Sequence, residues 1–317
     1  FIACPQLART VQRCLHGGAS PGPRPVLLFF SPGPGILTRT LLNAGVRVVA
    51  LESNSAFFFF LQSLVFFLDG QLKVIYGDFF RLDPLVTGTV KPPAIFFYKL
   101  FETMGVAAVL FFSDVPLKIF GILPHFFLRN TLWRLLFALY FFFSIYRYGR
   151  VELNIFFFEK EYKVLTAKPG EVRAYQALTI LWQVGCEIQL LHMEPWSSFV
   201  TNFFFGGLAV PKSTFFFYDH LCLVRLTPQL FFFTGGLQPT NSSTFFFLVK
   251  QCLARPNSWS LDNGGKLLRD FFFPDNAETR NLYPDFFLRL FEALQNSSMF
   301  FFFWFHDEVL DSIRNFF

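Results

Sequence analysis

Val26-Leu27-Leu28-Phe29-Phe30-Ser31-Pro32-Gly33-Pro34-Gly35-Ile36-Leu37-Thr38 joins an apolar run to a Pro/Gly turn and then to a new periodic segment. A run of this length bounded by a turn reads as a buried strand. Ile36–Asn43 reads as a helix, closed by Gly45. Working outward, Val46–Leu51 predicts a second strand ending in Glu52, and Ser55 to about Leu68 a helix. Leu72–Tyr76 predicts a third strand ending at Gly77-Asp78. Asp83–Ala94 is Pro-rich and reads as an insertion. Val106–Phe112 predicts a fourth strand with Ser113-Asp114-Val115-Pro116-Leu117 at its carboxyl end. Asn130–Phe143 reads as a helix, Arg150–Ile155 as a fifth strand and Glu187–His192 as a sixth, with helical segments flanking Lys168-Pro169-Gly170. Strands alternating with helices predict an α/β, doubly wound, mostly parallel sheet. Beyond about residue 200 the strand signal fades. Segments such as Leu248–Leu253 and Phe286–Leu294 look helical, so a division into residues 1–200 and a smaller, mainly helical domain at 201–317 is expected.

The chain has 317 residues, enough for a sizeable core. Charged residues are 15% and apolar residues 53%, which excludes a disordered chain. Mean hydropathy is +0.42, yet the most apolar charge-free stretch, Leu135–Tyr146, is too short to span a bilayer. No membrane association is therefore expected. Phe occurs 52 times, mostly in runs such as Phe57–Phe60, Phe141–Phe143, Phe203–Phe205 and Phe300–Phe303. Adjacent residues point to both faces of a strand and nearly all sides of a helix, so some rings must face water. Many of these positions read as stand-ins for residues of other kinds. An intact mass far from 36.8 kDa supports that reading and agreement with it dismisses it. Five cysteines, Cys4, Cys14, Cys186, Cys222 and Cys252, form no CxxC pair, which suits buried thiols in a reducing compartment. The histidines have no ligand-like spacing, so no metal is expected. The first residue is Phe1, so either a targeting peptide has been removed or the sequence starts within a longer product.

Ligands of open α/β sheets bind outside the carboxyl ends of the strands. Gly33 and Gly35 lie there, where glycine lets a ligand approach the backbone and helix amides receive its polar groups. Glu52 ends the second strand, where a carboxylate accepts from both hydroxyls of a ribose. Asp78 ends the third, where it accepts from an adenine amino group. Glu52 follows Gly33 by 19 positions, the spacing of a nucleoside-binding unit. Taken singly, each feature is commonly a turn or a helix cap. Together they point to a nucleoside. The absence of G-x-G-x-x-G disfavours a dinucleotide and favours a cofactor with one adenosine, such as S-adenosylmethionine.

Phe1-Ile2-Ala3-Cys4-Pro5, PGPGILT at 32–38, VVALES at 48–53, GDFF at 77–80 and EKE at 159–161 resemble the rRNA adenine dimethyltransferase family. KPPA at 91–94, DVPLK at 114–118, SIYRYGRVELN at 144–154 and HMEPWSSF at 192–199 are similar to its mitochondrial transcription factor B branch. The resemblance covers most of residues 1–200. It implies a Rossmann-like S-adenosyl-L-methionine-dependent methyltransferase fold at 1–200 and a nucleic-acid- or partner-binding domain at 201–317. It implies that Ile2 and Ala3 lie against the cofactor, Gly33 and Gly35 form the turn under its methionine part, Glu52 holds the ribose, and Asp78 with Phe79 holds the adenine.

Two departures from the family pattern bear on activity. The family has an acid two positions before the Ser or Asn of the turn, where this chain has Phe29. Active members carry Asn-Leu-Pro-Tyr or Asn-Leu-Pro-Phe after the fourth strand, a loop that supplies an Asn side chain and a backbone carbonyl to the adenine N6 and an aromatic ring to stack on the base. The residues matched to that loop are Asp114-Val115-Pro116-Leu117, with Asp114, Pro116 and Leu117 as the candidate catalytic positions. An ionised Asp cannot donate a hydrogen bond and Leu offers no π face. Weak methylation is therefore expected.

Net charge is +5, with basic pairs at Arg9/Arg13, Arg129/Arg134, Arg147/Arg150 and Lys250/Arg255. Such pairs are commonly solvated faces, and net charge alone does not establish a nucleic-acid partner. By resemblance, the expected function is a transcription initiation factor of the mitochondrial matrix nucleoid. It would bind mitochondrial RNA polymerase and stabilise melted promoter DNA, with small-subunit rRNA as a further partner. Lys250 and Arg255 are the candidate DNA contacts. The alternative is an active rRNA adenine N6,N6-dimethyltransferase.

Overall fold

The computed structural model describes residues 1–16, 25–65, 70–82, 94–111, 115–123, 128–200, 220–233, 235–254 and 279–296. The described strands are β1 Val26–Phe30, β2 Val48–Glu52, β3 Leu72–Tyr76, β4 Leu117–Ile122, β5 Glu152–Phe158, β6 Cys186–Pro195 and β7 His220–Pro228. Helices are α1 Pro5–His16, α2 Ile36–Asn43, α3 Ser55–Val65, α4 Phe97–Met104, α5 Leu128–Tyr140, α6 Glu159–Leu165, α7 Ala177–Gly185, α8 Ser242–Ala254 and α9 Pro284–Asn296. The strands form one seven-stranded sheet in the order β3-β2-β1-β4-β5-β7-β6. β3, β2, β1, β4 and β5 pair in parallel, and β7 runs antiparallel to β5. This is the seven-stranded order of S-adenosylmethionine-dependent methyltransferases, so the expected fold class holds.

The central strands are buried on both faces, as parallel strands covered by helices must be. Every residue of β2 and β5 is buried. That interior takes up Phe156–Phe158 whole, while Phe59 and Phe231 are each 69% exposed. The Phe runs therefore divide by packing: Phe156–Phe158 on β5 and Phe245–Phe247 on a helix are core, whereas Phe59 and Phe231 meet water.

Two segments depart from the expected layout. Val106–Phe112 was expected to form the fourth strand, but residues 106–110 form no strand and Leu110 is 77% exposed. The slot beside β1 is filled instead by Leu117–Ile122, in register Val26↔Leu117 to Phe29↔Phe120. Lys118 disguised this strand. Its ammonium lies 3.3 Å from Glu152 Oε1, so the cation is neutralised within the sheet. The second departure is β7. It inserts between β5 and β6, pairing Leu153↔Leu226 through Phe158↔Leu221. The sheet thus extends beyond residue 200, past the boundary expected between the two domains.

By compactness the chain divides into one unit of residues 1–132, 143–162 and 189–228, and another of 133–142, 163–188 and 229–317. The second unit draws on earlier segments that the 201–317 boundary left out. Within it, α7 starts with a capping box between Gln176 and Thr179. The Tyr140 hydroxyl donates to Leu181 O at 2.8 Å, and Ser242 Oγ donates to Tyr140 O at 2.9 Å. Burial raises the Tyr140 phenol well above its ordinary range, so it stays a donor.

Candidate cofactor-binding site

β1 ends in a tight corner. Ser31 adopts φ 52°, Gly33 φ 66° and Gly35 φ 80°, and α2 then begins at Ile36. Ser31 N–H donates to Leu51 O at 2.8 Å, which ties the corner to β2. Left-handed φ values favour glycine at 33 and 35.

Glu52 closes β2 and is 3% exposed. One carboxylate oxygen accepts from Gly33 N–H at 3.1 Å, the other from Asn54 N–H at 2.8 Å. Burial pushes its acidity toward the neutral form. The amides of Asn54, Gly33 and Ser53 oppose that push, and the charge of Asp78 adds to it. The two acids therefore share one electrostatic neighbourhood at adjacent strand ends. Gly77 N–H also donates to Glu52 O at 3.1 Å, joining the start of the Asp78 loop to the end of β2. Asp78 Oδ1 accepts from Phe80 N–H at 2.9 Å, and Oδ2 lies 3.4 Å from Arg81 Nε. That fixes the 3-10 turn Phe79–Arg81. Phe79 is buried and stacks on Phe30, with centroids 4.3 Å apart.

Ile2 is buried and forms an antiparallel bridge to Phe199. Ala3 is half-buried just before α1. A methyl group on Gly33 would meet Phe1 Cβ at 2.8 Å, so the amino-terminal segment lies directly over the corner. Ile2, Gly33, Gly35, Glu52, Asp78 and Phe79 thus gather around the carboxyl ends of β1, β2 and β3. A carboxylate offers about four acceptor positions. The backbone amides bound to Glu52 take three, which leaves capacity for a hydroxyl. A buried acid beside a glycine corner fits the ribose of an adenosine-type cofactor. Phe29 does not fit its amino group: the ring is buried in β1, edge-on to Phe120 at 4.9 Å.

The loop assigned to the target base needs correction. Leu117 opens β4 beside Val26, the first residue of β1, and is fully buried. It therefore lies at the amino edge of the sheet, opposite the corner. Pro116 precedes it, and Asp114 lies outside the described residues. Ile122 closes the fourth strand and Leu123-Pro124-His125 come after it, a Leu-Pro pair in step with Asn-Leu-Pro-Tyr. Pro124 and His125 lie outside the described residues. At the corrected position Ile122 precedes the Leu-Pro pair and His125 follows it.

Of the candidate DNA contacts, Lys250 sits on α8 with its ammonium 5.9 Å from the Trp133 ring centroid. Burial lowers its pKa to about 8. Arg255 lies outside the described residues. Among the described residues no group of three or more His, Cys, Asp and Glu could hold a metal, and no helix is long and apolar enough to cross a membrane.

Residues 19–257 match the family model for ribosomal RNA adenine dimethylase. The chain belongs to this family. It is 42% identical to rat mitochondrial dimethyladenosine transferase 2, over 98% of this chain and 80% of that protein. Against the human protein of that name it is 39% identical, over 98% of this chain and 81% of the relative. A dimethyladenosine transferase of Plasmodium falciparum shares the fold, with a TM-score of 0.60 at 15% identity, covering 93% of this chain and 97% of that one. The ribosomal RNA adenine dimethylases are S-adenosylmethionine-dependent methyltransferases, and the named relatives of this chain are mitochondrial proteins.

The family scaffold shows what sequence reasoning missed. Glu152 and Asn154 were visible only as part of SIYRYGRVELN. In the fold Asn154 Nδ2 donates to Glu152 Oε1 at 2.8 Å, and Arg225 Nε lies 3.4 Å from that same oxygen. Arg225 Nη2 also donates to Cys14 O at 3.0 Å, in the last turn of α1. A carboxylate and an amide two positions apart, on one face of a strand, were the available signal, but Arg225 lies 71 residues beyond Asn154.

Proposed function

We propose that this protein is a mitochondrial transcription initiation factor built on a dimethyltransferase scaffold that keeps its cofactor corner and has little methyl-transfer activity. Ile122 at the carboxyl end of β4 carries this reading. Where active relatives place an Asn that fixes the adenine N6, Ile122 has neither donor nor acceptor. Orienting a weakly nucleophilic amine needs such partners. On this reading Glu52 holds a ribose, Asp78 with Phe79 an adenine, and Ile2, Ala3, Gly33 and Gly35 shape the remaining wall. S-adenosyl-L-methionine, when bound, supplies an electrophilic methyl group. The described residues contribute binding and orientation, and Ile122 offers no polar contact to an acceptor base.

The transcription role follows from the resemblance of DVPLK, SIYRYGRVELN and HMEPWSSF to the transcription factor branch. Its partners are mitochondrial RNA polymerase and promoter DNA, which the protein holds melted. A fluorescent base analogue near the start site tests this with purified polymerase: added protein is expected to raise its fluorescence, and no rise refutes the role. The retained Glu52 corner favours the second reading, an active small-subunit rRNA adenine N6,N6-dimethyltransferase. Fast dimethylation of an rRNA hairpin by the unaltered chain establishes it. Otherwise Ile122→Asn with His125→Tyr is expected to raise methylation at least tenfold, roughly what one well-placed hydrogen bond contributes.

A further inference from the structure

We infer that Arg225 and the Phe199-Val200 backbone are positioning elements of the cofactor site, clasping residues 1–16 as a strap over the Gly33 corner. The inference rests on the cofactor reading above and adds what holds that site shut. It also gives a role to two sequence signatures, HMEPWSSF and RVELN, that cofactor contact leaves unused.

The strap is fastened at both ends. At its start, Ile2 bridges Phe199 in antiparallel fashion, and Val200 N–H donates to Phe1 O at 3.0 Å. Phe199 is buried against Phe156, centroids 5.1 Å apart, which anchors this clasp to the central strand β5. Trp196 packs on Phe158 at 5.1 Å and closes the same patch. At the other end, Arg225 Nη2 caps the Cys14 carbonyl in the last turn of α1. Basic groups are favoured there because unpaired carbonyls carry the negative end of the helix dipole. Arg225 is itself held by Glu152 Oε1, Asn154 Oδ1 and Gln189 Oε1, at 3.4, 3.3 and 3.3 Å. At the first clasp itself, Phe1 covers the glycine whose amide binds Glu52. A helix pinned at one end and a bridge at the other set the height of Ile2 and Ala3 above that corner.

Val200→Pro removes the N–H of the first clasp at an exposed position. Phe199 already has φ −102° and ψ 141°, the conformation that a residue before proline prefers. Arg225→Gln removes the second clasp, and Arg225→Lys is its conservative control. Hydrogen exchange resolved to residues 2–8 and Gly33 is measured on the full chain, alongside calorimetric titration with S-adenosylmethionine. Val200→Pro and Arg225→Gln are expected to raise exchange about tenfold at residues 2–8 and Gly33, and to weaken the cofactor about tenfold, with a smaller effect for Arg225→Lys. Unchanged exchange at Gly33 overturns the inference. So does a loosened strap with unchanged affinity, or exchange that rises equally in β5 and in α7, which marks loss of the fold. If the unaltered chain takes up no S-adenosylmethionine, the cofactor reading fails, and Gly33 exchange alone decides whether the strap holds the corner.

Discussion

Glu52→Gln is the most informative single change at the corner. The side chain keeps its shape but offers one acceptor oxygen instead of two. In the unaltered chain both oxygens are used, by Gly33 N–H at 3.1 Å and Asn54 N–H at 2.8 Å. The substituted NH2 must face one of those donors, leaving a buried amide without an acceptor. An unmet buried donor costs about 1–3 kcal/mol. Loss of a charged acceptor for a ribose hydroxyl removes about 1.5–3 kcal/mol more from cofactor binding, or roughly 10- to 150-fold in Kd. The stability cost has a defined pH dependence. Glu52 is held above its ordinary value of 4.5 by burial, so the native state takes up its proton more readily than the unfolded chain. Its contribution is complete below 4.5 and is lost as pH rises through the raised native value. Gln does not titrate, so the stability gap between the two proteins should narrow as pH increases across that window. Urea unfolding at pH 4.5 and pH 7.5 reads the gap, and calorimetry reads the affinity. A Gln variant that binds S-adenosylmethionine as tightly as the unaltered chain refutes the ribose assignment. A gap that widens with pH refutes the desolvation argument.

Glu152→Leu strands two cations, Lys118 and Arg225, whose side chains are only 15% and 13% exposed. Breaking a buried ion cluster on one side costs about 3–5 kcal/mol, and urea denaturation showing under 1 kcal/mol would contradict it. The double change Lys118→Met with Glu152→Leu should recover part of that loss. Lys250→Met removes an ammonium whose pKa burial lowers from 10.5 to about 8. A base depressed on folding contributes stability above 10.5 that is lost as pH falls through about 8, so the Met variant should be the more stable at pH 7 and lose that advantage by pH 10.5. If Lys250 contacts a phosphate, the same variant lowers the slope of log K against log salt by about one. Gly33→Ala places a methyl 2.8 Å from Phe1 Cβ at φ 66°. Weaker cofactor binding and faster exchange at residues 2–8 are the expected result, and an unchanged affinity argues against close approach at this glycine.

β1, α2 and β3 were legible because each is announced locally. An apolar run, a Pro-Gly corner and a Gly45 stop mark Val26–Phe30 and Ile36–Asn43 at the bounds observed. The gathering of Gly33, Glu52 and Asp78 followed as well, since consecutive parallel strands bring their carboxyl ends to one edge. The target-base loop was misread for a local reason. GVAAVLFF and LKIFGI are both short apolar runs, and periodicity cannot choose between them.

The order β1-α2-β2-α3-β3 and the edge that carries the acids were therefore determined by sequence alone, through spacing and turn chemistry. Tertiary structure decided that Leu117–Ile122 rather than Val106–Phe112 lies beside β1, and that His220–Pro228 enters the sheet between β5 and β6. The reason is electrostatic. Lys118 and Arg225 are expensive inside a sheet until Glu152 meets both, and that meeting joins residues far apart in the chain.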